Sequence, residues 1–129
     1  MDDIVATMKV IRTGAYVLIR RDNEILLELH RDGPYKGKWD LPGLKIDAGE
    51  TPEETIQRLI GENLHGSFET ANLKYAWTAT FEQPQFLLHQ IALIYEIIGY
   101  NGMAEGWKDL SKMSDQELAP LAANAKLIK

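Results

Sequence analysis

The chain of 129 residues contains no cysteine, which excludes disulfides, thiolate metal centres and cysteine nucleophiles. Long apolar runs are missing too: none approaches the roughly 20 residues that a bilayer-spanning helix requires. No Ser/Gly/Pro-rich linker, low-complexity tract or internal repeat interrupts the chain, so one domain is expected over residues 1–129. There is no basic stripe, and a nucleic-acid polymer is therefore not an expected partner. A secretory signal would start basic, whereas this chain starts Met1-Asp2-Asp3; a cytoplasmic protein without a membrane partner is the expectation.

What is present is ordinary in amount and uneven in place. Apolar residues make up 45% and charged residues 26%, the balance of a globular protein with a core of its own. The net charge of −5 is concentrated: residues 47–70 hold Asp47, Glu50, Glu53, Glu54, Glu62 and Glu69 against Arg58 alone. Such a window is either a solvated helix or a place that collects a divalent cation.

Val10 to Ile19 and Ile25 to Leu29 read as strands, followed by a loop, Arg31 to Lys38, rich in turn formers and basic residues. Residues 73–82 and 86–98 read as two long strands around a turn at Gln83-Pro84-Gln85. The second is nearly all apolar, as a strand buried on both faces would be. Between the strand pairs, Thr51-Pro52-Glu53-Glu54 supplies an N-cap, a proline at the first helical position and a capping-box glutamate. Ile56, Ile60 and Leu64 then repeat every four residues as a core-facing stripe, and Gly66 is the expected left-handed cap. A second helix is expected from about Pro120. Strands around one helix, with another near the C-terminus, predict an α/β (α+β) fold with a sheet covered on both faces.

The chemistry concentrates in residues 39–66. Trp39-Asp40-Leu41-Pro42-Gly43 leads through Leu44 to Glu50 into the capped helix, a two-glycine acidic loop suited to a hard, oxygen-seeking cation. Here the sequence resembles the Nudix hydrolases (MutT-like), most strongly at Trp39–Gly43 and Ala48–Glu54, with Trp107-Lys108-Asp109-Leu110 also fitting. Their signature is G-x5-E-x7-R-E-U-x-E-E-x-G-U, U being aliphatic. Glu50, Arg58, Ile60 and Glu62 match it; Leu44, Leu59, Asn63, His65 and Gly66 replace its glycine, two glutamates and closing Gly-U. The box is degenerate.

The resemblance implies a Nudix-like α/β/α sandwich with a mixed sheet between helices. It implies cleavage of a nucleoside diphosphate linked to another moiety, dependent on Mg2+ or Mn2+. Glu62, Asn63, the carbonyl of Gly43 and Glu105 from a later loop would contact metal, while Glu50 and Arg58 would order the site around the attacking water. Glu62, Glu50 and Arg58 form the implied catalytic set. At α-helical spacing residues 59 and 63 stack on one face, so Leu59 and Asn63 take two charges from the metal side and activity is expected to be weakened or altered.

Plainer readings stand beside these. Glu62 also suits a solvated partner of Arg58, Asp47 a turn acid and Glu105 an exposed loop residue, while capping alone explains Glu53 and Glu54. His89 is expected as a hydrogen-bonded sheet residue, His30 and His65 as isolated, and the three tryptophans as core or cleft walls. Tyr35 suits stacking on a base, with an ordinary surface tyrosine the commoner case, while Arg31, Lys36, Lys38 and Lys45 suit a phosphorylated ligand or a plain solvated loop equally. The alternative function is a non-catalytic nucleotide or metabolite binder, and a third is an interaction domain using the sheet or a homodimer face.

Overall fold

The computed structural model describes residues 8–82 and 84–127; Met1 to Asp3 and the turn residue Gln83 lie outside them. Alternation of side chains sets the main sheet. In β1 (Met8–Leu18), Ala15 and Val17 face one core, while Tyr16 and Leu18 face another on the opposite side. β9 (Phe86–Ile98) lies parallel to it, with Met8 opposite Phe86 and Leu18 opposite Glu96. β8 (Thr70–Glu82) returns antiparallel along β9, with an irregularity between Leu73 and Tyr75. β6 (Gly43–Lys45) closes the other edge, its Gly43 opposite Tyr16 of β1. The sheet is mixed, in the order β6-β1-β9-β8.

Short ribbons dress this sheet. β2 (Arg20–Arg21), β3 (Glu24–Leu26) and β11 (Trp107–Lys108) form one; β4 (Glu28–Leu29) pairs with β5 (Trp39–Asp40), and β7 (Gly66–Ser67) with β10 (Asn101–Gly102). The single strand expected from Ile25 to Leu29 is thus divided at Leu27, whose N–H donates to the Gly106 carbonyl at 3.0 Å.

One face of the sheet is covered by α1 (Pro52–Arg58) and its continuation, the other by α2 (Pro120–Ala125). The α/β/α sandwich with a mixed sheet is therefore the observed architecture. The capping box is formed: Glu54 N–H donates to Thr51 Oγ1 at 3.1 Å, and Thr51 N–H to Glu54 Oε1 at 2.8 Å. Ile56, Ile60 and Leu64 are all buried, as their spacing requires.

Three local expectations need correction. The left-handed residue ending the helix is His65, at φ 49°, not Gly66. Gly66 instead lies in β7, where a Cβ would stand 2.7 Å from the Tyr100 ring and 2.9 Å from the Gly102 Cα, so glycine serves close approach. β9 is buried on alternate sides only around Ala92–Ile97, and its first half stays partly exposed. Thirteen strand residues span about 40 Å, more than a helix of a dozen residues can cover at roughly 1.5 Å each. Finally, β8 begins at Thr70 rather than residue 73.

Candidate active site

The loop between β6 and α1 is held by one carboxylate. Glu50 Oε1 accepts from Thr55 Oγ1 at 2.7 Å and Arg58 Nη2 at 2.9 Å, while Oε2 accepts from Arg58 Nε at 3.0 Å. Asp47 N–H donates to the same carboxylate at 3.2 Å, closing the turn from Asp47 to Glu50. Arg58, then Thr55, hold the Glu50 pKa far down, at about 2, because every one of these donors favours the anion. Arg58 also donates to the Lys45 carbonyl at 3.1 Å and pairs with Asp47 at 3.4 Å. One guanidinium thus binds the end of β6, the turn and the helix together. Glu50, saturated with donors, is an organiser of this geometry and a poor proton acceptor.

Glu62, Asn63 and Glu105 are exposed. Gly43 sits deeper, its N–H donating to Glu28 Oε1 at 3.4 Å, and its Cα lies against Tyr16 so closely that a Cβ would meet the ring at 2.1 Å. Among the described residues no three Asp, Glu or His side chains converge as a metal site. A cation held at the motif helix would have the Glu62 carboxylate there, with the Asn63 amide and the Gly43 carbonyl as further oxygen donors. Magnesium often takes only one or two protein carboxylates, completing its octahedron with water and substrate phosphate, so residues of this chemistry would suit it at the minimum.

Leu59 is not on that side at all. It is fully buried, packed with Ile56 and Ile60 against Ala15, Val17 and Ile19. After Arg58 the helix widens into a π turn, Leu59–Asn63, in which Leu64 N–H donates to the Leu59 carbonyl at 3.0 Å. The i→i+5 spacing puts Leu64 rather than residue 63 above Leu59. The expected stacking of residues 59 and 63 on one face is therefore corrected: Leu59 belongs to the core and Asn63 to the surface. Tyr100 pins the far end, donating its hydroxyl to the Leu64 carbonyl at 2.7 Å.

A second group of polar residues escaped sequence reasoning. β4 and β5 place Glu28 directly opposite Asp40, and His30, expected to be isolated, meets Asp40 Oδ2 through Nε2 at 2.8 Å. Asp40 Oδ1 accepts from the Leu41 N–H at 2.8 Å. The Asp40 hydrogen bond raises the His30 pKa above the usual imidazole value, and burial raises that of Glu28 above the usual carboxylate value. Nearby, Gln90 Nε2 donates to the Tyr16 hydroxyl at 2.8 Å, and burial, followed by the charge of Asp40, pushes the Tyr16 pKa up to about 12. Of these groups Tyr16, His30, Asp40 and Gln90 line a cavity of about 290 Å³ walled by Trp77 and Tyr35, with Arg12 and Lys45 also at its edge. The one sequence signal was a buried-looking Asp40 between Trp39 and Leu41; its partners depend on strand pairing. His89 does bond within the sheet, to Thr80 Oγ1 at 3.3 Å.

Residues 9–119 match the NUDIX domain family. The chain belongs to the NUDIX family. A MutT NUDIX hydrolase from Burkholderia pseudomallei superposes with a TM-score of 0.79 at 28% identity, over 92% of this chain and 98% of that one. An 8-oxo-dGTP diphosphatase from Haemophilus influenzae is 28% identical over 126 residues, 93% of this chain and 90% of its own length. An ADP-ribose pyrophosphatase from Methanocaldococcus jannaschii is 32% identical over 82 residues, 64% of this chain and 48% of its own length. This chain thus spans about half the length of that relative. Among the described residues no helix is long and apolar enough to cross a membrane.

Proposed function

We propose that this NUDIX domain is a divalent-metal-dependent pyrophosphohydrolase that cleaves a nucleoside diphosphate linked to another moiety. The observation that carries the reading is the Arg58–Glu50–Thr55 network, which fixes the Gly43–Glu50 loop against α1 while Glu62, farther along the same helix, stays exposed. The cavity beside β6 would hold the nucleoside, and Lys45 and Arg12 at its edge would draw in the phosphates. Glu62, Asn63 and the Gly43 carbonyl would hold magnesium, which when bound neutralises the diphosphate and favours attack at phosphorus. Arg58 and Glu50 keep the loop carbonyls in place, a positioning task. With one carboxylate facing the cation the rate should be low, since charge stabilisation is usually the largest catalytic contribution. A cytoplasmic setting, where nucleotides are held, belongs to the same reading.

A second reading, a nucleotide or metabolite binder without catalysis, is favoured by one observation: Leu59 lies in the core and gives the cation nothing. Product analysis separates the two. ADP-ribose and a set of nucleoside triphosphates are incubated with the protein in Mg2+ and in Mn2+, and products are followed by phosphorus NMR. Cleavage between phosphates, to AMP and ribose phosphate or to nucleoside monophosphate and pyrophosphate, is expected for at least one of them. Intact substrates throughout, with binding retained, would overturn hydrolysis in favour of the binder.

A further inference from the structure

The polar groups of the cavity differ in what they can still accept or donate. Asp40 has two of its acceptor positions filled, by His30 Nε2 and the Leu41 N–H. An ionised carboxylate offers about four such positions and no donor, so the remaining capacity of Asp40 is for acceptance alone. Gln90 spends an amide N–H on the Tyr16 hydroxyl, and its amide oxygen has no donor among the hydrogen bonds of the described residues. Both residues line the same cavity, and Trp77 and Tyr35 supply ring faces beside them. The Tyr35 hydroxyl is buried without a hydrogen-bond partner among the described residues. At about 290 Å³ the space lies at the lower end of the range for small-molecule sites, which suits one ring system rather than a whole dinucleotide.

We propose that this cavity selects nucleobases carrying an exocyclic amino group over their oxo counterparts, with Asp40 as the specificity-determining acceptor and Gln90 as its second. The proposal rests on the reading of the cavity as the nucleoside end of the site. An amino group brings N–H donors to Asp40 and Gln90. A ring carbonyl in its place sets oxygen against the carboxylate and moves the remaining N–H donor to the adjacent ring nitrogen, so Asp40 and Gln90 lose the paired N–H groups that the amino group aims at them, a mismatch that discriminates more strongly than a change of shape. Trp77 and Tyr35 stack on any base and so give affinity without this preference.

The test uses nucleoside monophosphates, which have no phosphate–phosphate bond to cleave, so binding is read independently of hydrolysis. Dissociation constants are measured by calorimetry for the matched pairs CMP and UMP, GMP and XMP, and AMP and IMP. The amino member should bind at least about tenfold more tightly, and Asp40→Asn, which presents a donor where the carboxylate presented none, should reduce that ratio to about one. Because Asp40 is buried, its variant is checked by thermal unfolding. Gln90→Met, which keeps the length and removes the acceptor, serves as the second variant and should lower the ratio in the same direction. Equal binding within every pair, tighter binding of the oxo members, or ratios unmoved in both variants would overturn the proposal. Failure to bind any monophosphate would overturn it as well, while turnover in the product analysis would leave the hydrolase reading standing. A clear amino preference without turnover would leave the selective cavity and remove the hydrolase.

Discussion

Replacing Leu59 by glutamate would restore the family's motif on paper, yet the structure predicts damage. Leu59 has 0% exposure and sits among Ala15, Val17, Ile19, Ile56 and Ile60. Removing a leucine from such a place costs about 2–5 kcal/mol. A carboxylate put there adds the desolvation of an unpaired charge, several kcal/mol more unless the group is protonated or the π turn unwinds. A loss of about 4–6 kcal/mol is expected for Leu59→Glu, a large part of the 5–15 kcal/mol typical of a domain. At about 4 °C per kcal/mol for this size the midpoint should fall by roughly 15–25 °C. Asn63→Glu, on the exposed side, should stay within about 0.5 kcal/mol. Urea denaturation of both variants reads the difference. If Leu59→Glu unfolds within about 1 kcal/mol of the wild type, residue 59 reaches solvent and the assignment of Leu59 to the core is wrong.

Arg58→Lys keeps the charge and loses the fork that grips both oxygens of Glu50, so turnover should fall at least about tenfold with a smaller change in unfolding midpoint; a rate equal to wild type would refute the positioning role. Glu50 has its folded pKa depressed to about 2, so the stability it contributes is present above the unfolded carboxylate pKa near 4.3 and is lost as pH falls towards 2. Glu50→Gln should therefore flatten the stability–pH curve in that window, measured by urea denaturation at stepped pH. His30 runs the other way: its pKa is raised by Asp40, so its contribution is complete below the unfolded value near 6.5 and declines as pH rises through the folded value; His30→Gln should remove that decline. Thr51→Ala breaks the capping box and should cost about 1 kcal/mol in the same assay.

Legibility followed the range of the forces involved. The start of α1 was readable because Thr51, Pro52 and Glu54 act within one turn, and the buried Ile56, Ile60 and Leu64 announced themselves by spacing. The long strands were readable from apolar runs; their exposed ends were not, since coverage depends on the length of the helices packed on them. The π turn hid behind α-helical spacing, although Leu59 and Leu64, five apart and both buried, match its i→i+5 bond. In the candidate site, Glu50 and Arg58 were singled out through the resemblance, and their contact spans only eight residues. The cavity was invisible. Asp40 meets His30 only because β4 pairs with β5, and Gln90 meets Tyr16 across 74 residues. Side chains brought together by pairing leave no periodic trace in the chain.

Everything proposed for the site depends on Glu62, the single carboxylate left on the motif helix beyond the loop network, still acting in the reaction. The direct measurement is the Mg2+-dependent kcat/KM of the wild type against Glu62→Gln on the best substrate found. Glu62 is exposed, so the substitution should leave folding within about 0.5 kcal/mol. A rate lowered at least about tenfold, with the unfolding midpoint unchanged, is the result expected. Equal rates for the two proteins would remove Glu62 from the reaction and the metal-dependent hydrolase with it.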